Sequence, residues 1–173
     1  TISGERMDPQ WVTLFMEMFG LAAARRGETA AILSEAASRP VLAALAEHAL
    51  HQLGLDVFHL RVPSPPPRNS IPLRSTGTSL AIAGRQPVID ALAAVDLIVD
   101  VTVEGLLHAA ERPALLAKGA RIFMVGNEHP EVFERLRPAA GLHELCLRGA
   151  ELLSRADTMR VTSAAGSDRS EER

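Results

Sequence analysis

With 173 residues the chain is long enough for one domain with a layered core and too short for two large ones. Hydrophobic residues make up 47% of it, yet there is no tyrosine and only one tryptophan, so the core must be built mainly from Ala, Leu, Val and Ile, a composition that suits helices packed on a sheet. A net charge of -3 with scattered basic residues offers no electrostatic footprint for nucleic acid, and the longest apolar stretches are broken by aspartates well short of the ~18 residues of a membrane span.

Residues 1–6 do not fit the pattern that follows and are set apart as an extension, leaving 7–163 as a single domain and 164–173 as a polar tail. From Asp8 onward Trp11, Leu14, Phe15, Met18 and Phe19 recur at three- and four-residue spacing, which predicts an amphipathic helix capped by Asp8 with Pro9 in its first turn. "TAAILS" (Thr29 to Ser34) reads as a strand. "SRPVLAALAEHALHQLG" reads as a helix with Ser38 as its cap and Gly54 as its end. "LDVFHLRV" (Leu55 to Val62) has the β-branched and aromatic content of a second strand, whereas "PSPPPRNSIPLRSTGTS" is too rich in proline for a backbone ladder and is expected to be a long surface connection.

Order resumes with a helix over "QPVIDALAAV" and a strand over "DLIVDV" (Asp96 to Val101), whose nearly continuous apolar positions predict burial on both faces. A helix from about Arg112 to Lys118, a strand over "RIFMVG" (Arg121 to Gly126), helices over "PEVFERL" and "LHELCLRGAELLSRA", and a last strand over "TMRVTS" follow. Strand and helix alternate about five times. The fold class predicted is therefore α/β: a doubly wound, Rossmann-like, mostly parallel sheet of about five strands with helices on both faces. Ligands of such domains sit outside the carboxyl ends of the strands.

Phosphate binding is the first chemistry to test at that edge, and the first strand runs into "SEAASRP", which has neither the glycines of a dinucleotide site nor Gly-Lys-Ser/Thr. His48 and His51 lie one turn apart on a helix without a third ligand. His59 and His143 read as structural or surface residues, while His129 in "GNEHPE" follows a strand and is a secondary candidate for the functional edge. Cys146, the only cysteine, excludes an intrachain disulfide, places the chain by default in the cytoplasm, and is expected to be a buried, inert residue of a helix.

The strongest candidate is His108 in "VDVTVEGLLHAAER", where a buried strand gives way to a loop. An imidazole ordinarily titrates near ~6.5, so it can take a proton at neutral pH and return it later in a cycle. Leu106 and Leu107 would shield a bound substrate from water. Ser163 and Asp168, in the "SAAGSD" segment after the last strand, are further candidates for hydrogen bonds to a ligand; the bland reading of both regions is a helix start and a linker.

The run from Gln86 to Asp168, with "A-x-D-L-I-V-D", "L-L-H" and "A-G-S-D" in that order, resembles the N-terminal domain of the 2,5-dihydroxypyridine 5,6-dioxygenases and of the related aminopeptidase T-like metallopeptidases. In the dioxygenase branch the resemblance implies a non-haem Fe(II) enzyme that opens a hydroxylated pyridine ring with molecular oxygen, with Leu107 against the substrate and His108 as acid or base. The metallopeptidase branch is not expected to need that histidine, so "L-L-H" favours the dioxygenase. In both branches the metal ligands come from a C-terminal domain, so Fe(II) is not expected to be bound by this chain alone. The partners implied are a small aromatic substrate, a further C-terminal domain or partner chain, and further copies in a homo-oligomer. The alternatives are the metallopeptidase branch and a non-catalytic interaction module, in which either the first helix, through Trp11, Phe15 and Phe19, or the proline-rich loop forms an oligomer interface.

Overall fold

The computed structural model describes residues 7–66, 77–137 and 139–172. Most of the proline-rich connection read from the sequence lies outside the described residues. The chain divides into two compact units, residues 1–135 and 136–173.

Unit 1 is a four-stranded, wholly parallel sheet in the order β2-β1-β3-β4, formed by β1 (Thr29–Glu35), β2 (Asp56–Val62), β3 (Leu97–Asp100) and β4 (Arg121–Met124). β1 carries the run Ala30, Ala31, Ile32 and Leu33, and all four residues of β3 are buried, as continuous apolar strands of a covered sheet must be. Alternate side chains feed two cores. On one face Ala30, Ile32, Leu97 and Val99 pack against α1 (Pro9–Leu21) and α2 (Pro40–Leu53); on the other Ala31, Leu33 and Ile98 pack against Ile89 and Leu92 of α3 (Gln86–Leu92) and Leu115 of α4 (Arg112–Leu116). Helices therefore cover both faces of a doubly wound sheet.

The helix ends follow from local chemistry. Asp8 accepts the Gln10 N–H at 2.9 Å and Pro9 opens α1, while Gly54 closes α2 in the left-handed conformation at φ 82. The residue that caps α2 is Arg39, not Ser38: the Ser38 hydroxyl instead accepts the Glu35 N–H at 2.9 Å and closes the turn out of β1. Phe15 and Phe19 are 2% and 0% exposed, which removes them from any oligomer interface; they stack edge-on with one another, and Phe19 with Phe123 of β4.

Unit 2 holds α6 (Leu142–Arg155) and two strands, β5 (Thr158–Thr162) and β6 (Asp168–Glu172); α5 (Pro130–Arg135) closes unit 1. The strand expected to complete the parallel sheet instead pairs antiparallel with β6, Thr158 opposite Glu172 and Thr162 opposite Asp168. Its residues alternate rather than forming an apolar run, and every one is exposed, so it lacks the two-faced burial that a central parallel strand requires. Residues read as a polar tail form the second arm of this hairpin. Cys146 is exposed on α6, contrary to expectation. No helix among the described residues is long and apolar enough to cross a membrane.

Candidate functional site

The order β2-β1-β3-β4 reverses winding direction at β1, so the crevice between the carboxyl ends of β1 and β3 is the topological switch point of unit 1. Both strands end there on a carboxylic acid, Glu35 and Asp100, on the sheet face that carries Leu33 and Ile98.

Asp100 is fully buried and turns back on its own loop. One oxygen accepts the Thr102 N–H at 3.0 Å and the Thr102 hydroxyl at 2.6 Å, and the other accepts the Leu106 N–H at 2.6 Å. The Thr102 hydroxyl also accepts the Gly105 N–H at 3.2 Å. Burial raises the Asp100 carboxyl above its ordinary range, opposed by the Thr102 and Leu106 donors. Glu35 is 4% exposed, and its Oε2 has no hydrogen-bond partner among the described residues. Its carboxyl is likewise raised, first by burial and further by the charges of Asp100 and Glu104, against the Val103 N–H and the Ser64 hydroxyl, which favour the ionised form.

This hydrogen-bonded loop turns the first of the "L-L-H" residues inward and the other two outward. Leu106 is 0% exposed and belongs to the core beneath the loop, whereas Leu107 is 47% exposed and His108 is exposed beside it. On the outer side the Gly77 N–H donates to the Glu104 carbonyl at 2.6 Å, and the His108 N–H donates to the Gly77 carbonyl. Gly77 is required at this crossing: its φ is +76, and a Cβ there would stand 2.9 Å from Leu107 Cβ and 3.1 Å from His108 Cδ2.

The other expected residues belong to other elements of the chain. Ser163 and Asp168 belong to unit 2, where the Ser163 hydroxyl accepts the Ser167 N–H at 3.2 Å and Asp168 is held by two hydrogen bonds of 2.8 Å from Arg160, which lower the carboxyl's pKa. His129 sits edge-on to Trp11 of α1 with ring centres 5.5 Å apart. His48, His51 and His143 are exposed on helices. His59 of β2 shares a 2.7 Å hydrogen bond with Ser34, both lining a cavity of about 210 Å³ with Glu47 and Arg61 on the α2 face.

Among the described residues no group of three or more His, Cys, Asp or Glu side chains is placed to hold a metal ion. The two acids at the switch point do not fit one either, since Asp100 spends both oxygens on donors of its own loop.

Glu35, Asp100 and Gly77 were not singled out by sequence reasoning as site residues. Asp100 had a signal: an aspartate ending an apolar strand with threonine two residues on is the pattern of a side chain that turns its own backbone. Glu35 and Gly77 had none, because their neighbours are distant in sequence.

The fold defines the class: a doubly wound α/β protein with its topological switch point between β1 and β3, the place where such sheets bind their ligands. A family model described as NicX: 2,5-dihydroxypyridine 5,6-dioxygenase matches residues 10–172, and the chain belongs to this family. A curated relative, the 2,5-dihydroxypyridine 5,6-dioxygenase of Pseudomonas putida KT2440, is 29% identical over 161 residues, covering 92% of this chain and 45% of the relative. The solved structure of a 2,5-dihydroxypyridine dioxygenase from Pseudomonas putida KT2440 superposes with a TM-score of 0.82 at 27% identity, covering 97% of this chain and 48% of that one. The chain thus spans about half the length of the relatives it matches.

Proposed function

We propose that this chain is the N-terminal, substrate-side part of a ring-cleaving dioxygenase acting on a hydroxylated pyridine. The observation that carries the reading is the exposed pair Leu107 and His108, presented side by side from the loop after β3 at the ligand edge of a chain in this family. Leu107 offers an apolar surface on which an aromatic ring packs. The His108 imidazole takes the proton of a ring hydroxyl as negative charge develops on the substrate and returns it later in the cycle. In this reading Fe(II) is held by side chains of a further domain or partner chain.

Apolar side chains that α6 leaves exposed, Leu145 and Leu152 among them, support assembly with that further domain or partner. A homo-oligomer in the cytoplasm completes the proposal.

The test is His108→Ala in an assembled enzyme that contains this chain, followed by loss of 2,5-dihydroxypyridine absorbance. Turnover is expected to fall by about 10²–10⁴-fold, the usual contribution of a positioned acid or base, with the circular dichroism spectrum and metal content unchanged. Undiminished turnover would refute the role of His108.

A further inference from the structure

The imidazole of His108 has no hydrogen-bond partner among the described residues, so nothing in its own side chain fixes where it stands. Its place is set through the backbone. The His108 N–H is tied outward to Gly77, and two residues upstream the Leu106 N–H is tied inward to Asp100 at 2.6 Å. The inward tie is the firmer anchor, because Asp100 is wholly buried and ends a strand hydrogen-bonded on both sides, whereas Gly77 is itself a loop residue.

Asp100 closes a ring. Its carboxylate gathers the Thr102 N–H, the Thr102 hydroxyl and the Leu106 N–H, and that same hydroxyl accepts from Gly105, so the turn from 100 to 106 wraps around one side chain. Leu106 then plugs the core, which turns Leu107 and His108 outward. A carboxylate suits this place because it has two acceptor oxygens and no donor. An asparagine would fit the volume and yet face its NH₂ against one set of donors.

We propose that Asp100 is a positioning residue for His108, fixing the turn between β3 and α4 so that Leu107 and His108 are presented together at the switch point. The proposal rests on the reading of His108 as the acid or base. A displacement of about 1 Å at a reacting group costs on the order of 10²-fold in rate, so the anchor bears on chemistry as well as stability.

The experiment uses this chain, labelled for NMR, with Asp100→Asn, Thr102→Val and Thr102→Ser. For Asp100→Asn, hydrogen exchange at the Leu106 amide is expected to quicken at least about tenfold, the loss of one charge-assisted hydrogen bond, and the ring resonances of His108 to shift. Amides of Ala46 and Leu50, in α2 on the opposite face, should keep their protection. Thr102→Val should shift the His108 ring in the same sense, and Thr102→Ser, which keeps the hydroxyl, should restore the wild-type spectrum. Leu115→Ala destabilises the same core without touching the ring of hydrogen bonds and should leave His108 in place. An unmoved His108 ring in Asp100→Asn would overturn the proposal. Should that variant not fold, an unmoved ring in Thr102→Val would do so equally. In the assembled enzyme Asp100→Asn is expected to lower kcat about 10²-fold. A His108→Ala variant with full turnover would sink the catalytic reading while leaving the NMR result, and the positioning, intact.

Discussion

Gly105→Ala probes the turn beneath the candidate site and has a size that can be worked out. Gly105 has φ +76, and a Cβ there would overlap the thioether of Met124, the last residue of β4, with Met124 Cγ at 3.0 Å. An alanine in the left-handed region costs roughly 1–2 kcal/mol, partly offset by about 0.4–1 kcal/mol of unfolded-chain entropy that alanine removes. Moving the methionine adds the roughly 1–3 kcal/mol of overpacking, so a net loss of about 2–3 kcal/mol is expected. Gly119→Ala is the control: its φ is +93 with no atom within 4 Å, leaving the backbone cost alone, about 1 kcal/mol. Urea unfolding followed by Trp11, the only tryptophan and a residue of α1, reports unit 1. The double variant Gly105→Ala with Met124→Ala should recover about 1 kcal/mol of coupling. If Gly105→Ala and Gly119→Ala lie within about 0.5 kcal/mol of one another, the range over which independent sites agree, the close approach of Met124 to the turn is not what makes glycine necessary.

Three further outcomes are expected. Phe19→Ala, deleting a ring that is 0% exposed and stacked on Phe15 and Phe123, should cost about 3–5 kcal/mol in the same urea experiment; a loss below about 1 kcal/mol would contradict that packing. Because burial raises the Glu35 carboxyl above its ordinary 4.5, the folded chain holds that proton more tightly than the unfolded one, so stability falls as pH rises from 4.5 through the higher folded value. Glu35→Gln should flatten this slope, leaving the part due to Asp100, whose carboxyl is raised in the same direction; an unchanged slope across pH 4–8 would refute it. Gly77→Ala should displace the His108 ring, since the new Cβ would stand 3.1 Å from His108 Cδ2, and an unchanged His108 NMR signal would place the two loops further apart than the structure does.

The α2-face cavity shows how sequence spacing misleads about proximity. Ser34, Glu47, His59 and Arg61 line it together, yet they come from three elements, and parallel pairing of β1 with β2 in the register Ile32 to His59 and Ser34 to Arg61 is what joins them. Nothing in the local pattern of "LDVFHLRV" tells a reader which strand it will lie beside. The same is true of Glu35, whose carboxyl is raised first by its burial and further by the charges of Asp100 and Glu104, far along the chain.

Local chemistry settled what local chemistry can. Apolar periodicity, apolar runs and β-branched content placed the described helices and strands of the parallel unit, Asp8 and Gly54 set helix ends, and the break from "LIVD" into glycine marked the loop bearing Leu107 and His108. Tertiary structure alone decided that Leu106 faces inward while its two neighbours face out, that Ser38 closes a turn instead of a helix, and that "TMRVT" pairs with the residues after it instead of joining the sheet. Each of these depends on which distant backbone groups find one another, and a hydrogen bond or a buried contact between remote residues leaves no period in the sequence that makes it.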